Sequence, residues 1–404
     1  MRRPLEGIKV VEVATWAFVP AAGGILCDMG ATVIKVEPPT GDPLRALRIG
    51  GSGTSPQGFV LSWENYNRGK RSITLDLRHE EGAEVLYKLL EGADVFLTNL
   101  LPPARRRMGI DIGELRERFP NLIYSLGSGL GQNGPEADKG GYDSITFWAR
   151  GGIASQITPE DSPYPIVQPS AAFGDCASAA ILAGAIAAAI AQRALTGQAS
   201  VVDVSLLASS MWLMQRSVTQ AILDSVERLP KPKRHQVSNP LVNIYRTRDG
   251  RFLSLCMLQG QRYWAGFCEA VGRPDLIKDP RFATDALRAT NIDACTAQLD
   301  DIFGSRSLAQ WREILATQEG QWDVVQHVGE LKDDRQVKAN GYLQPVDYGD
   351  GRTLLMVSVP MQFDGAPLPA RPAPELGADT EVILQELGYD WERIGRLKDA
   401  GTTF

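Results

Sequence analysis

The chain has 404 residues, more than the roughly 250 to 300 over which a single hydrophobic core keeps growing, so two domains are expected. A content of 44% hydrophobic and 22% charged residues excludes a disordered chain, and a formal net charge of -6 excludes a general nucleic-acid binder, which needs a basic face. The five cysteines, Cys27, Cys176, Cys256, Cys268 and Cys295, are scattered without a CxxC pair; they read as thiols in reducing, cytoplasmic surroundings and offer no metal site.

The first forty residues alternate between strand and helix. GIKVVEV (7–13) is a β-branched apolar run, residues 19–29 carry small and apolar side chains at helical spacing, and ATVIKVEPP (31–39) is a second strand stopped by prolines. Glu6, Lys9 and Glu12 interrupt any apolar leader. The alternation continues with a strand at 72–77, a helix at 80–91, a strand at 93–99, a helix at 112–119 and a strand at 121–127. A long helix after Asp175 and a strand at 199–205 follow, and strands separated by helices imply an α/β fold around a parallel sheet. The most apolar run, 176–191, falls short of the roughly 20 residues that cross a bilayer, so no membrane association is expected.

From about residue 226 the character changes. RLPKPKRHQVSNP (228–240) is a basic, proline-rich linker, and 243–258 reads as a β-hairpin turning at Asp249-Gly250. Helices are expected at 262–271, near 288–303 and at 308–317; after residue 332 come a helix, extended segments including 352–360, and a helix at 380–387.

A β-α-β start ending in Glu37 invites a dinucleotide, yet the turn ATWAFVPAAGG lacks the GxGxxG that lets backbone approach a pyrophosphate. GSGLGQNG (127–134) is followed by PEADKGG, which does not open a helix. Three histidines, His79, His235 and His327, give a metal cluster or a Ser-His-Asp triad little to draw on. Arg105, Arg106 and Arg107 read as an exposed helix start or as a phosphate clamp. Asp175, after Gly174 and before an alanine-rich helix, is placed as an N-cap held ionised by the helix dipole. An ionised carboxylate is also a competent nucleophile toward a thioester, and spacing alone leaves cap and reagent both open.

Eight blocks in order then carry a resemblance: PLEGIKVVEV (4–13), GATVIKVEPPTGD (30–42), NRGKRSITLDL (67–77), ADVFLTN (93–99), RMGI (107–110), GQNGPEADKGGYD (131–143), GD (174–175) and PELGADTEVILQELGY (374–389). Nearly end to end, the chain resembles the class III (CaiB/BaiF-type) CoA-transferases, which include formyl-CoA and carnitine CoA-transferases and the related acyl-CoA racemases. The resemblance implies an interlocked homodimer. Its large Rossmann-like CoA-binding domain is made of residues 1–225 and 332–404, with a small α+β domain at 226–331. It also implies that Asp175 attacks an acyl-CoA thioester, that coenzyme A is substrate with no resident cofactor or metal, and that organic acids are the other substrates. Ala17, Arg78, Asn99, Leu100, Arg107 and Met108 match positions that hold CoA, and Tyr142 and Asp143 match the loop beside the thioester.

The sequence departs from the formyl-CoA branch at Thr15 and Ala17, at Pro38 in place of an arginine, and at residues 231–236, which replace a glycine-rich lid. Racemases carry histidine where this chain has Tyr142, and a phenol, ordinarily near pKa 10, is a poor base at neutral pH. Transfer is therefore expected over racemisation of a 2-methylacyl-CoA, with a silent acyl-CoA-binding protein as the remaining alternative. Dicarboxylic acids, including transfer within one dicarboxylate, are expected among the substrates, while Trp16 and Phe18 line an acyl pocket or pack in the core.

Overall fold

The computed structural model describes residues 3–47, 55, 57–230 and 234–404. Residues 231–233, within the expected linker and the segment that replaces the lid, lie outside the described residues, as does the side chain of His235. The chain divides into two compact units, one formed by Met1–Leu229 with Arg335–Phe404 and one by Pro230–Asp334.

The larger unit is built on six strands: β1 (Lys9–Val13), β2 (Thr32–Glu37), β3 (Arg71–Thr74), β4 (Val95–Thr98), β5 (Ile123–Ser128) and β6 (Val201–Ser205). They pair in the order β3-β2-β1-β4-β5-β6, every pair parallel. The near-continuous apolar character of β1 and β4 follows from burial on both faces. Alternate residues serve opposite sides. Val10, Val33, Val95 and Ile123 meet helices Phe18–Asp28 and Phe173–Thr196 on one face. Val11, Val36, Phe96 and Tyr124 meet helix Glu80–Glu91 on the other, where the C-terminal helices Thr380–Glu386 and Trp391–Asp399 add Ile383, Leu384, Ile394 and Leu397. The two ends of the chain thus share one core.

Helix Phe173–Thr196 is longer than its apolar run suggested: at 24 residues and a mean hydropathy of 1.8 it has the length and composition of a membrane span. Its Ala179, Leu182, Ala183, Ile186 and Ala189 recur at helical spacing and are buried against the sheet, which accounts for the apolar stripe as core packing. Gly23 and Gly24, the glycines of the first β-α turn region, lie inside helix Phe18–Asp28. A Cβ on Gly23 would come within 2.1 Å of the Glu12 carboxylate, so this glycine serves close packing. Glu37 is likewise committed, held by Arg45 at 2.7 Å and by the Ser72 hydroxyl at 2.8 Å.

The smaller unit carries an antiparallel sheet in which Val242–Arg246 and Phe252–Cys256 form the expected hairpin and Trp322–Val324 adds a third strand. Gly250 turns the hairpin with φ of 77°, a left-handed conformation that costs glycine little. Helices Gly260–Ala270, Ile292–Gly304 and Leu308–Leu315 close a separate core around Trp264, Phe267, Phe303 and Trp311.

Candidate active site

The reversal of strand order falls between β1 and β4, and the crevice outside their carboxyl ends is where open α/β sheets take ligands. Two adjoining clefts lie there and share Thr15 and Leu100. The first encloses about 330 Å³ and reaches from Trp16 and Ala17, past Asn99 and Leu101, to Tyr142 and Asp175. The second encloses about 350 Å³ and is lined by Pro38, Leu75, Leu77, Arg78 and Met108.

Asp175 is not the helix cap. The cap is Ala172, held left-handed at φ 57°, and Asp175 is the third residue of helix Phe173–Thr196. Among the described residues nothing donates a hydrogen bond to its half-buried carboxylate. Nor does the helix terminus keep it strongly acidic: burial, and then the nearby charge of Asp143, push its pKa up from 3.8 to about 7. The result is a poised carboxylate at the edge of ionisation near neutral pH.

Asp143 opens the π-helical segment Asp143–Arg150. It is buried, does not line either cleft, and accepts the N–H of Gly174 at 3.1 Å, tying the first turn of the long helix to this segment. Its own pKa is also raised, by burial, against the pull of backbone N–H groups at Gly174, Asp175 and Phe173. Gly174 is required by this closeness. A Cβ there would sit 2.2 Å from the Phe147 ring and 2.5 Å from the Asp143 carboxylate.

The expected CoA-holding residues separate into three groups. Ala17, Asn99, Leu100 and Tyr142 line the first cleft with Asp175, while Arg78, Leu100 and Met108 line the second. Arg107 lies exposed outside both. Asn99 has a positioning role: its amide accepts the Thr15 N–H at 3.0 Å and donates to the Thr15 carbonyl at 2.6 Å, locking the loop after β1 to the loop after β4. Arg78 is exposed and forks onto Asp76 at 2.6 and 2.9 Å, which pulls the Asp76 carboxyl down to about 2. The arginine run is not uniformly exposed, since Arg105 is buried and bonded to Asp111 at 3.0 Å and Gln132 at 3.0 Å. Arg105 is thus committed within the fold, while Arg106 and Arg107 stay exposed.

Sequence reasoning passed over Leu206, which lines the first cleft because β6 runs straight into helix Leu206–Leu213. The apolar step from Ser205 into that helix was the available signal. It also left Trp16 and Phe18 undecided. Phe18 is both buried core and cleft wall, and half-buried Trp16 meets Tyr142 edge to face with centroids 5.7 Å apart. Among the described residues no group of three or more His, Cys, Asp or Glu side chains is arranged to hold a metal ion.

Comparison with known proteins agrees with this architecture. The family model described as CoA-transferase family III matches residues 5–380. A (R)-2-hydroxy-4-methylpentanoate CoA-transferase from Clostridioides difficile is 32% identical over 98% of each chain. A cinnamoyl-CoA:phenyllactate CoA-transferase from Clostridium sporogenes is 30% identical over 97% of this chain and 95% of its own. The solved structure of Rv3272 from M. tuberculosis superposes with a TM-score of 0.80 at 27% identity, covering 94% of this chain and 99% of that one. With a parallel sheet of this order, paired clefts at its switch point and a family match over nearly the whole chain, this protein belongs to CoA-transferase family III.

Proposed function

We propose that the protein transfers CoA between carboxylic acids through covalent intermediates on Asp175. The observation that carries this reading is a carboxylate without hydrogen-bond donors on the wall of a cleft, half-buried and shifted toward neutrality. An Oδ of Asp175 attacks the thioester carbonyl, the C–S bond breaks, and CoA leaves as thiolate with an aspartyl mixed anhydride in place. The thiolate attacks the aspartyl carbonyl, releasing the donor acid and leaving an aspartyl-CoA thioester. An acceptor carboxylate repeats the sequence in reverse: it forms a second anhydride, expels CoA thiolate, and takes CoA at its own carbonyl, which restores Asp175. Each step exchanges a carboxylate for a thiolate, so protons and electrons balance without a redox group.

The two clefts suit a long substrate with two ends. The second, with the apolar side chains of Leu75, Leu77 and Met108 and the cationic Arg78 at its edge, fits the nucleotide; the first fits the acyl end beside Asp175. Racemisation is disfavoured because it needs a second proton carrier across the substrate, and no histidine among the described residues lines the first cleft. The apolar side chains exposed on helices Leu206–Leu213 and Gln215–Asp224, Trp212 and Leu223 among them, suit the interlocked homodimer that the family resemblance implies.

Incubation with a panel of acyl-CoAs, hydroxylamine trapping and mass spectrometry tests the reading: a hydroxamate at Asp175 is expected. Asp175→Ala should lose both the adduct and turnover. Turnover persisting in that variant would sink the proposal, and CoA binding without an adduct would indicate the silent binder.

A further inference from the structure

Trp16 has φ of 68°, a left-handed conformation that a bulky residue seldom adopts and that persists only where the surroundings hold it. Three contacts hold it here. Its N–H donates to the Asp42 carboxylate at 3.2 Å, and Thr15 beside it is clamped on both backbone atoms by Asn99. The Ala14 carbonyl accepts from Lys35 at 2.7 Å, and the same buried ammonium lies 2.9 Å from Asp42. The strained turn is therefore tied to a network with no exposure to water. Its product is an indole on the cleft wall, crossed with Tyr142 at an interplanar angle of 89°.

Besides Asp175, the polar side chains on that wall are neutral, Thr15, Asn99 and Ser128, and Asn99 and Ser128 are already bonded to backbone. Phe18, Leu100, Leu101 and Leu206 contribute side chains, and among the described lining residues there is no Lys, Arg or His. A second carboxylate on the acyl group would enter a partly dry cleft with no cation to pair with, facing the like charge of Asp175. An aryl or branched alkyl group would gain edge-to-face and apolar contacts instead.

We infer that Trp16, paired with Tyr142, is the specificity-determining wall of the acyl cleft and selects apolar monocarboxylic acyl groups against dicarboxylic ones. The inference rests on Asp175 being the nucleophile and names the substrate class of that same site. It sets aside the dicarboxylic substrates expected from the family resemblance.

The probes are 3-phenylpropanoyl-CoA and glutaryl-CoA, with Asp175 adduct formation and kcat/KM for transfer as readouts. Wild-type protein should prefer the phenyl substrate by at least about 30-fold, within the range that apolar contacts in a pocket supply. Glutaryl-CoA reacting as fast or faster would overturn the inference while leaving the adduct, and with it the nucleophile, intact. No adduct from any acyl-CoA would overturn both. Trp16→Gly removes the ring at a position whose backbone glycine adopts without strain, and should cut the preference about tenfold, mainly by raising KM for the phenyl substrate. Trp16→Phe, which keeps an aromatic edge, should retain most of it. An unchanged preference in Trp16→Gly would assign selectivity elsewhere, and if that variant fails to fold, the wild-type panel decides.

Discussion

Two clusters of ionisable groups lie in the larger unit, and they are opposites. Beneath β1 and β2, Glu12, Lys35, Asp42 and Lys70 are shut away from water, and each charge has an opposite charge within 3.1 Å. At the start of helix Phe173–Thr196, the buried Asp143 and the half-buried Asp175 carry the same sign, and among the described residues no cation pairs with either. In the first cluster burial works against Lys35, but Glu12, Asp42 and Glu37 outweigh it and raise its pKa; in the second, burial and the neighbouring charge act together against ionisation. A matched buried network gives the fold a fixed geometry, whereas an unmatched pair stores a tendency to react.

The largest effect expected from breaking this contrast falls on the matched side. Glu12→Ala removes the carboxylate shared by the buried Lys35 and Lys70 ammonium groups and leaves Lys70 without its ion-pair partner, and should destabilise the protein by about 3 to 5 kcal/mol, read from denaturant unfolding. A cost below about 1 kcal/mol would mean that water reaches the network. Gly174→Ala should cost about 1 to 3 kcal/mol, because its methyl collides with Phe147 and Asp143, and should also slow adduct formation by displacing the first helical turn.

Smaller effects sharpen the unmatched side. Asp143→Asn keeps an acceptor for the Gly174 N–H while removing a charge, so the pKa of Asp175 should fall and the acid limb of the kcat/KM profile, expected near pH 7 in the wild type, should move to lower pH. An acid limb that stays in place would show that burial alone sets it. The last effect is on stability. Asp175 ionises near 3.8 when unfolded and near 7 when folded, so between those values the folded chain holds a proton that the unfolded chain releases, and stability falls as pH rises through that window. Asp175→Asn escapes this, and its Tm advantage over the wild type should open between pH 4 and pH 8; a constant difference would contradict the raised pKa.

Much of the sheet was legible because β-branched runs and short prolines or glycines mark buried parallel strands, and because the helices between them have clear apolar spacing. Helix Glu80–Glu91 came out with its expected bounds, and β1 within two residues. Asp175 was singled out as the nucleophile proposed above from its place in a family block, while its position within the helix was misjudged: a left-handed alanine at residue 172 leaves no trace in composition. Arg105 turns inward beside two arginines that stay exposed, a distinction set by the register of a helix only six residues long. Asn99 was matched to a CoA-holding position by the family resemblance; it lines the first cleft, and its amide bonds to Thr15 follow from the meeting of two loops that sequence spacing does not show.

The C-terminal helices have a consequence for how the molecule is made. Asp379 N–H donates to the Ser72 carbonyl, Asp76 N–H to the Thr402 carbonyl, and the hydroxyls of Thr74 and Thr403 meet at 2.9 Å, so one face of the first strands is finished by residues synthesised some 300 positions later. On the ribosome the segment 230–334 is continuous, while the core begun before it lacks Ile383, Leu384, Ile394 and Leu397 until the last two helices are made. Chaperone dependence and truncation sensitivity should therefore concentrate in residues 380–403, far along the chain from the carboxylate proposed to do the chemistry.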